Sequence, residues 1–291
     1  MNATFEQHRP FLRGLAYRML GTVSDAEDIL QDAWLRWHAV APDSVEHPRS
    51  FLARVVTNLC LDRMKSAQAQ RECYVGEWLP EPLVALNEYT AAGPDAVSEY
   101  ASDLSFAFMR TLEALSPPER AAFLLHDVFE VDFPAIAAAL NLSAANCRQL
   151  AVRARTHVRD HRTRFPISTD AAGRLQHAFV TAIQQANPAA LIEVLAVDVT
   201  FYSDGGGKVA AVPRPVQGAA RVAQVLLGFA KLYAPASIEV TTRAVNGLPG
   251  FIVRSSNGTL IQTIALEPSE SGQIQAIYVQ RNPDKLRHLG C

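Results

Sequence analysis

The chain has 291 residues, 49% of them hydrophobic, and a formal net charge of −2 at pH 7. This length suffices for two or three domains with ordinary cores, without disulfides or metal ions to hold them together. The near-neutral total excludes a protein whose overall charge alone holds nucleic acid. Positive charge is nevertheless concentrated between 145 and 165, where six arginines stand against one acid, Asp160: Arg148, Arg153, Arg155, Arg159, Arg162 and Arg164. Such a stripe is typical of a phosphate-facing surface or of a solvated helix face.

Cysteine spacing and hydropathy limit the classes of protein to which the chain can belong. Cys60, Cys73, Cys147 and Cys291 form no C-x-x-C motif and have no paired histidines, so we expect no metal site, no cofactor and no disulfide framework. Residues 1–9 are polar, and no run of about 18 apolar residues occurs anywhere. These features favour a cytoplasmic protein without a membrane partner.

The chain divides into blocks that differ in hydrophobic periodicity and in glycine and proline content. Residues 5–71 and 99–164 show helical periodicity, and Pro166 ends the second of these blocks. The stretch 76–95 between them is broken by glycines and prolines, which is typical of a linker. We therefore predict domains at 1–72, 99–165 and 168–291, with a linker at 73–98.

The first block contains a helix with an acidic face. Ser24 and Glu27 have the spacing of a capping box, which predicts a helix start at Ser24. Apolar residues at helical spacing form one buried stripe, and an acid-rich face remains. That face is either solvated or a docking surface for a basic partner, and it comprises Asp25, Glu27, Asp28, Gln31 and Asp32.

A second helix in this block interleaves core residues with cationic and amide side chains. It follows the loop 40–48, and Ser50 is its predicted N-cap. Arginine and asparagine on one helix beside a loop suit phosphate anchoring together with base-edge contacts. The polar residues concerned are Arg49, Ser50, Arg54, Asn58, Arg63 and Lys65.

The second block predicts a helix-turn-helix motif. A helix begins at Ser116-Pro117, with prolines in its first turn. A later helix, 134–140, leads through a short turn to a helix capped by Ser143, and this last helix carries the arginines. The residues expected to face duplex DNA are Ser143, Asn146, Arg148, Gln149, Arg153 and Arg155. Any helical hairpin with a basic exit can mimic the motif.

From residue 170 the pattern changes to helices alternating with strands. Helices are predicted at 170–186, 188–195 and 217–233, and strands at 197–203, 238–246, 250–255, 260–267 and 273–280. Asn257-Gly258 is a strong hairpin signal between two strands. Consecutive strands joined by tight turns imply an antiparallel sheet with helices packed on one face, an α+β fold.

Taken together, the two helical blocks resemble the extracytoplasmic-function (ECF) sigma factors. The strings D-A-E-D-x-x-Q-D from Asp25 and x-N-x-x-L-D-R around Asn58 are similar to sigma region two, a helical bundle, and 115–155 is similar to region four, a helix-turn-helix. The resemblance implies core RNA polymerase and promoter DNA as partners. It implies that the acidic face docks on polymerase and that the 40–48 loop with the Ser50 helix captures unpaired bases of the −10 element. The arginine-bearing helix would read the −35 element as duplex.

The third block resembles the SnoaL-like (NTF2-like) α+β cone, a fold that surrounds a pocket. Three short strings, one in the linker and two in this block, sharpen the resemblance to the ECF41 (SigJ-type) group. The group implies that these strings regulate the sigma modules in cis, and the pocket admits an unidentified small ligand. The strings comprise Trp78, Pro80 and Glu81; Asp204, Gly205, Gly206, Gly207 and Lys208; and Asn282, Pro283, Asp284, Lys285 and Leu286.

Two other functions remain open at this point. SnoaL-like folds include enzymes, so the chain is alternatively an enzyme or ligand sensor that carries DNA-binding modules. Asp204, expected near a pocket mouth, is the best candidate base, but the later strands offer almost no acid or histidine to pair with it. We therefore assign no catalytic residue. In the third possibility, the last domain only scaffolds the helical blocks.

Overall fold

A computed structural model describes residues 2–40, 44–72, 74–84, 104–158, 168–233 and 238–290. The chain divides into two units, one of Met1–Cys73 with Ala85–Arg162 and the other of Tyr74–Val84 with Thr163–Cys291. The first part of the predicted linker thus packs within the second unit. Residues 85–98 of that linker, residues 41–43 of the predicted loop, and Arg159, Arg162 and Arg164 lie outside the described residues. Among the described residues, no helix is long and apolar enough to span a bilayer.

The first unit begins with three helices that pack on one another: α1 (Asn2–Leu20), α2 (Val23–His38) and α3 (Pro48–Glu72). Both predicted N-caps in this block are wrong, because each lies inside its helix. Thr22, in extended backbone, precedes α2, and its hydroxyl donates to Asp25 at 2.6 Å, so Ser24 lies inside the helix. Pro48 opens α3 because its fixed φ suits the first helical position, which leaves Ser50 in the first turn.

Among the described residues, this unit has four further helices. They are α4 (Phe106–Glu113), α5 (Pro117–Phe123), α6 (Phe133–Leu140) and α7 (Ala144–Val158), and a π-helical turn, Leu124–Val128, follows α5. Ser116 and Glu119 form the capping box of α5. Asn141, at φ 54°, ends α6, and the hydroxyl of Ser143 accepts from the Asn146 amide to cap α7. The predicted helix-turn-helix, α6–α7, is confirmed.

The second unit is an α+β fold, as predicted. Its helices are α8 (Thr169–Gln184), α9 (Pro188–Val194), α10 (Ala219–Tyr233) and the short α11 (Pro283–Leu286). Its strands are β1 (Leu195–Asp204), β2 (Val216–Gln217), β3 (Ile238–Val245), β4 (Leu248–Ser255), β5 (Leu260–Pro268) and β6 (Ile274–Gln280), in the sheet order β2-β1-β6-β5-β4-β3. Helices and sheet share one core, which includes Phe179, Leu191, Phe201, Val222, Phe251 and Ile277.

The sheet is mixed, so the prediction of a purely antiparallel sheet is wrong at one pair. β1 runs parallel to β6, with Tyr202 beside Tyr278 and Asp204 beside Gln280. Turn residues predict only the pairing of strands that follow one another in the chain. β1 and β6 are separated by most of the domain, so no turn residue predicts that they pair. The parallel pairing places the carboxyl ends of β1 and β6 side by side.

Two hairpins join the antiparallel strands. The predicted Asn257-Gly258 turn connects β4 to β5, with Gly258 at φ 86°. A second turn, missed in the sequence, connects β3 to β4 through Asn246 at φ 51° and Gly247 at φ 76°. Both residues take the positive φ that a tight hairpin turn requires, and Asn-Gly is the dipeptide that tolerates it best.

We predict opposite effects of the same substitution at two glycines of the second unit. A Cβ on Gly250, in β4, would lie 2.3 Å from the carbonyl oxygen of Ile264 on the neighbouring strand, whereas a Cβ on Gly173, in α8, meets nothing within 4 Å. Gly250→Ala should therefore lower the free energy of unfolding by about 1–3 kcal/mol. Gly173→Ala should raise it by about 0.5–1 kcal/mol. Urea denaturation measures both, and equal effects at the two positions would contradict the register described for β4 and β5.

Candidate functional sites

The acidic side chains of α2 divide between two directions. Asp28, Gln31 and Asp32 lie at helical spacing on one exposed stripe, which continues to Leu35, 55% exposed. Glu27 instead faces α1, where Arg13 pairs with it at 2.6 Å. Three of the five predicted docking residues therefore form one accessible surface, together with an apolar side chain.

Part of this acidic face is already paired within the unit. The guanidinium of Arg63, on α3, lies 2.7 Å from the carboxylate of Asp25 and 3.1 Å from that of Asp28. These pairs are partly exposed, so each contributes little to stability. Gln31, Asp32 and Arg63 also border a cavity of about 500 Å³ between α2 and α3. Arg63, predicted to contact DNA, thus lies beside the predicted polymerase surface.

The remaining polar residues of α3 form a separate stripe. At about 100° per residue, Ser50, Asn58 and Lys65 all fall within about 40° of Arg54 around the helix. Arg54 and Lys65 are exposed, and Asn58 is half-buried. Arg49 points elsewhere: its guanidinium carbon is 4.6 Å from the Phe11 ring centroid. The structure brings four of the six predicted −10 residues onto one face.

On α7, most of the predicted base-reading residues share the exposed side. Cys147, Ala151, Ala154 and Val158 are buried, and this leaves the opposite side outward. The outward polar residues are Asn146, Arg148, Gln149 and Arg153. Arg155 forms an ion pair with Asp127, with its Nε 2.6 Å from the carboxylate.

The two helical blocks are held together around Phe129, a residue that the sequence analysis did not single out. The Phe129 ring meets Phe11 edge-on, with centroids 5.0 Å apart, and lies 5.3 Å from the guanidinium carbon of Arg18. Arg49 donates to the Phe129 carbonyl at 3.5 Å. Nearby, the buried Arg120 of α5 donates to the Met19 carbonyl of α1 at 2.6 Å. An aromatic residue in a short acidic turn was the only sequence signal for this contact.

In the second unit, the carboxylate of Asp204 is fully buried at the end of β1. Each oxygen accepts more than one hydrogen bond, which offsets the cost of burying the charge. The donors are the Tyr74 hydroxyl (2.5 Å) and the Gly206 amide (3.0 Å) on Oδ1, and the Leu79 amide (2.9 Å), the Gln280 amide (3.1 Å) and the Lys285 ammonium (2.7 Å) on Oδ2.

Lys285 completes a buried ion pair with Asp204. Its ammonium group also donates to the Leu79 carbonyl at 2.6 Å. The same nitrogen lies 4.1 Å from the Trp78 ring centroid and 4.7 Å from that of Tyr74. Stacked between a carboxylate, a carbonyl and two aromatic faces, the cation is well compensated in a water-poor site.

Asn282 joins the glycine loop to the same cluster. Its amide donates to the Tyr74 hydroxyl at 2.9 Å, and its carbonyl accepts from Asp284 to cap α11. A Cβ on Gly206 would lie 2.2 Å from the Asn282 side chain, so this loop position requires glycine. Lys208 and Asp284 form an ion pair that connects the same loop to α11. The three short sequence strings therefore meet around Asp204, and we call this arrangement the Asp204 clasp.

The clasp holds an extended stretch of chain, Tyr74–Val84, which we call segment 74–84. Asn246 anchors its far end, because the backbone amide and the side-chain oxygen of Asn246 both bond to Leu83 at 2.8 Å. His288 lies 2.8 Å from the Pro82 carbonyl oxygen, and Glu81 is buried with its carboxylate 3.8 Å from the His288 ring. Tyr74, Asn246, Gln280 and His288 were missed in the sequence, and only the Asn246-Gly247 dipeptide carried a signal.

Burial and the hydrogen bond to Asp204 raise the pKa of Tyr74 well above its ordinary value. The hydroxyl therefore keeps its proton at neutral pH and remains a donor to the carboxylate. This arrangement also corrects the expectation that Asp204 lies at a pocket mouth. The cavity of the second unit is lined by Ser203 and Arg281 among the described residues, and Asp204 is absent from that lining.

The chain is similar to known proteins over nearly its whole length. The family model of Sigma-70 region 2 matches residues 4–70, and that of Sigma-70 region 4 matches residues 105–158. The chain is 38% identical to the ECF RNA polymerase sigma factor SigJ of Mycobacterium tuberculosis, over 97% of this chain and 91% of that protein. It is 29% identical to the probable ECF sigma factor SigI of the same species, over 99% and 96%.

A solved structure extends this similarity to the fold. The crystal structure of M. tuberculosis SigJ matches with a TM-score of 0.76 and 35% identity, and the match covers 100% of this chain and 99% of that one. The match therefore spans both units described above.

We predict that Asp204→Asn destabilises the second unit by about 3–5 kcal/mol, because it leaves the Lys285 cation buried without its carboxylate. The double variant Asp204→Asn/Lys285→Met removes both charges and should lose less than the single variant. Lys208→Ala, which removes an exposed ion pair, should cost at most about 1 kcal/mol. Urea unfolding followed by near-ultraviolet circular dichroism measures all three. A loss for Asp204→Asn no larger than that for Lys208→Ala would contradict the clasp as described.

Proposed function

Because the chain belongs to the family of ECF RNA polymerase sigma factors, we propose that it binds core RNA polymerase in the cytoplasm and directs promoter-specific initiation under control of its SnoaL-like second unit. The observation that carries the proposal is the presence of both DNA-reading elements, the α3 stripe and the exposed face of α7, in the family's order. In this role the chain contributes recognition to the holoenzyme and no catalytic residue.

The polymerase contact is assigned to the exposed stripe of α2. Asp28, Gln31 and Asp32 offer carboxylate and amide oxygens to a basic partner, and Leu35 adds apolar surface that a partner would bury. Asp25 and Glu27 support this surface from its edge through their ion pairs with Arg63 and Arg13. A charged rim around an apolar contact is typical of specific protein interfaces.

The −10 contact is assigned to the α3 stripe of Ser50, Arg54, Asn58 and Lys65. Cationic groups on it hold phosphates, and the hydroxyl and amide reach the edges of bases that have left the stack. The −35 contact is assigned to the outward side of α7, where Asn146, Arg148 and Gln149 stand near its first turns. The leading turns of a recognition helix are where base edges are contacted in the major groove.

Both DNA elements cannot be reached at once by the first unit as it is packed. Elements named −10 and −35 lie about 25 base pairs apart, about 85 Å along B-form DNA. A unit of this size has a radius of gyration on the order of 15 Å. The contacts around Phe129 and Arg120 must therefore open for regions two and four to occupy a promoter together, and Arg49 is released when they do.

Control by the second unit follows from the path of the chain. Segment 74–84 is the stretch that leaves α3 and leads toward α4, so it connects the two DNA-reading regions covalently. The Asp204 clasp holds this stretch within the second unit. We assign to the clasp the role of limiting how regions two and four separate. This supports Trp78, Pro80 and Glu81, the glycine loop, and Asn282–Leu286 as regulatory residues.

The function is tested by run-off transcription with purified core polymerase and a promoter selected from genomic fragments. Arg153→Ala should lower promoter affinity by about 10-fold, since one contact to DNA is lost, and should reduce the salt dependence of binding. Arg221→Ala removes an equally exposed arginine from α10 of the second unit and should leave both quantities unchanged. Absence of promoter-dependent product from the full chain and from chains lacking the second unit would refute the proposal.

The regulatory role has its own prediction. The double variant Tyr74→Ala/Trp78→Ala removes the two rings that enclose Lys285 and the hydroxyl that binds Asp204, which should release segment 74–84. Run-off product per folded molecule should rise by about 5-fold or more, the scale of a modest coupling between sites. Arg221→Ala, on the exposed surface of α10 and outside the clasp, serves as the control. Unchanged activity in the double variant, with segment 74–84 shown by proteolysis to be released, would overturn this role.

A further inference from the structure

The second unit contains a cavity of about 460 Å³ that the sigma function does not use. It lies between helices α8 and α10 and one face of the sheet, and its walls are mostly apolar. This volume falls within the range of small-molecule sites, about 300–1,000 Å³. Four phenylalanines contribute to the walls: Phe179, Phe201, Phe229 and Phe251.

The charge of the lining has one sign. Arg281 and Lys231 line the cavity, and no acidic side chain does so among the described residues. Arg281 is only 4% exposed, and its guanidinium carbon lies 5.2 Å from the Phe229 ring centroid. Lys231 is exposed near the end of α10. The inner charge is therefore a buried guanidinium that contacts an aromatic ring and donates to the Ala210 carbonyl, and the outer one is a solvated ammonium.

Neutral polar groups stand at two places in the same wall. Ser203 is buried, and its hydroxyl oxygen accepts from the Val212 amide at 2.9 Å, which leaves its own O–H group as a donor. Gln262 lies on β5, which also contributes apolar side chains to the wall. A guanidinium and a hydroxyl donor in one wall suit a carboxylate, which accepts from several donors at once.

We propose that this cavity binds a small apolar molecule that carries a single carboxylate, with the carboxylate on Arg281 and Ser203 and the apolar body among the phenylalanines. The attraction between a carboxylate and a guanidinium is stronger in such a water-poor cavity than in water. A neutral analogue gains the apolar burial alone. A molecule with several charges loses hydration in the apolar part without finding partners there.

The site is placed to influence the Asp204 clasp. Side chains alternate across a strand, so Ser203 and Arg281 face the cavity while their neighbours Asp204, Gln280 and Asn282 serve the clasp. The backbone amide of Arg281 also donates to the Asp204 carbonyl at 2.8 Å. A ligand that fixes Arg281 and Ser203 therefore steadies the two strand ends that hold segment 74–84. This coupling rests on the proposed regulatory role, whereas the binding itself does not.

Binding is tested by calorimetry on the full chain without polymerase, so its outcome is independent of the transcription assay. Decanoate is the probe and decanol is its neutral match. Decanoate should bind saturably at one site and at least about 10-fold more tightly than decanol. Arg281→Met should remove that preference and leave decanol affinity within about 3-fold. Val240→Trp, at the exposed rim of the cavity, should weaken both ligands by obstructing entry.

The comparison of decanoate with decanol in the unaltered protein needs no variant, so it decides the matter even where Arg281→Met fails to fold. No saturable binding, or equal affinity for the acid and the alcohol, would overturn the proposal. Hydrogen exchange tests the coupling: decanoate should slow exchange of the Leu79 and Leu83 amides by at least about 3-fold. Unchanged exchange at saturating decanoate would overturn the coupling.

Discussion

The buried ion pair between Asp204 and Lys285 is the interaction on which the second unit depends. Neither charge is stable alone in an apolar interior, and a buried pair barely repays its loss of hydration unless further hydrogen bonds satisfy it. Here those bonds come from segment 74–84, through Tyr74 and Leu79, as well as from Gln280. Segment 74–84 therefore stabilises the ion pair, and the ion pair holds the segment in place. A stretch of chain that is distant in sequence thus becomes part of the fold of the second unit.

This dependence explains why residues far apart in sequence behave as one element. The stretch after α3 belongs by position to the helical half of the chain, yet its hydrogen bonds lie in the second unit. The parallel pairing of β1 with β6 brings Asp204 and the residues after Gln280 together, and the glycine at 206 lets Asn282 approach closely. The second unit thereby binds the stretch of chain that connects the two DNA-reading regions.

Within the first unit, several residues with a predicted external partner have an internal one. Arg63 pairs with Asp25 and Asp28, Arg155 pairs with Asp127, and Arg49 packs on Phe11. Exposed ion pairs and aromatic contacts of this kind are weak enough to exchange for phosphates or a protein surface. The packed arrangement is thus compatible with the DNA and polymerase contacts proposed for these side chains.

The sequence by itself determined most of the elements and the family, because helical periodicity, capping residues and turn dipeptides are local signals. The helix start at Ser116-Pro117, the Ser143 cap and the Asn257-Gly258 hairpin were all predicted in this way. The sequence also marked as unusual the three short strings that contain Trp78, Asp204 and Asn282. Only the tertiary structure decided that these strings meet, that Tyr74, Gln280 and Asn246 join them, and that Asp204 faces away from the cavity. Those facts depend on the pairing of β1 with β6, a contact between distant parts of the chain that no local pattern encodes.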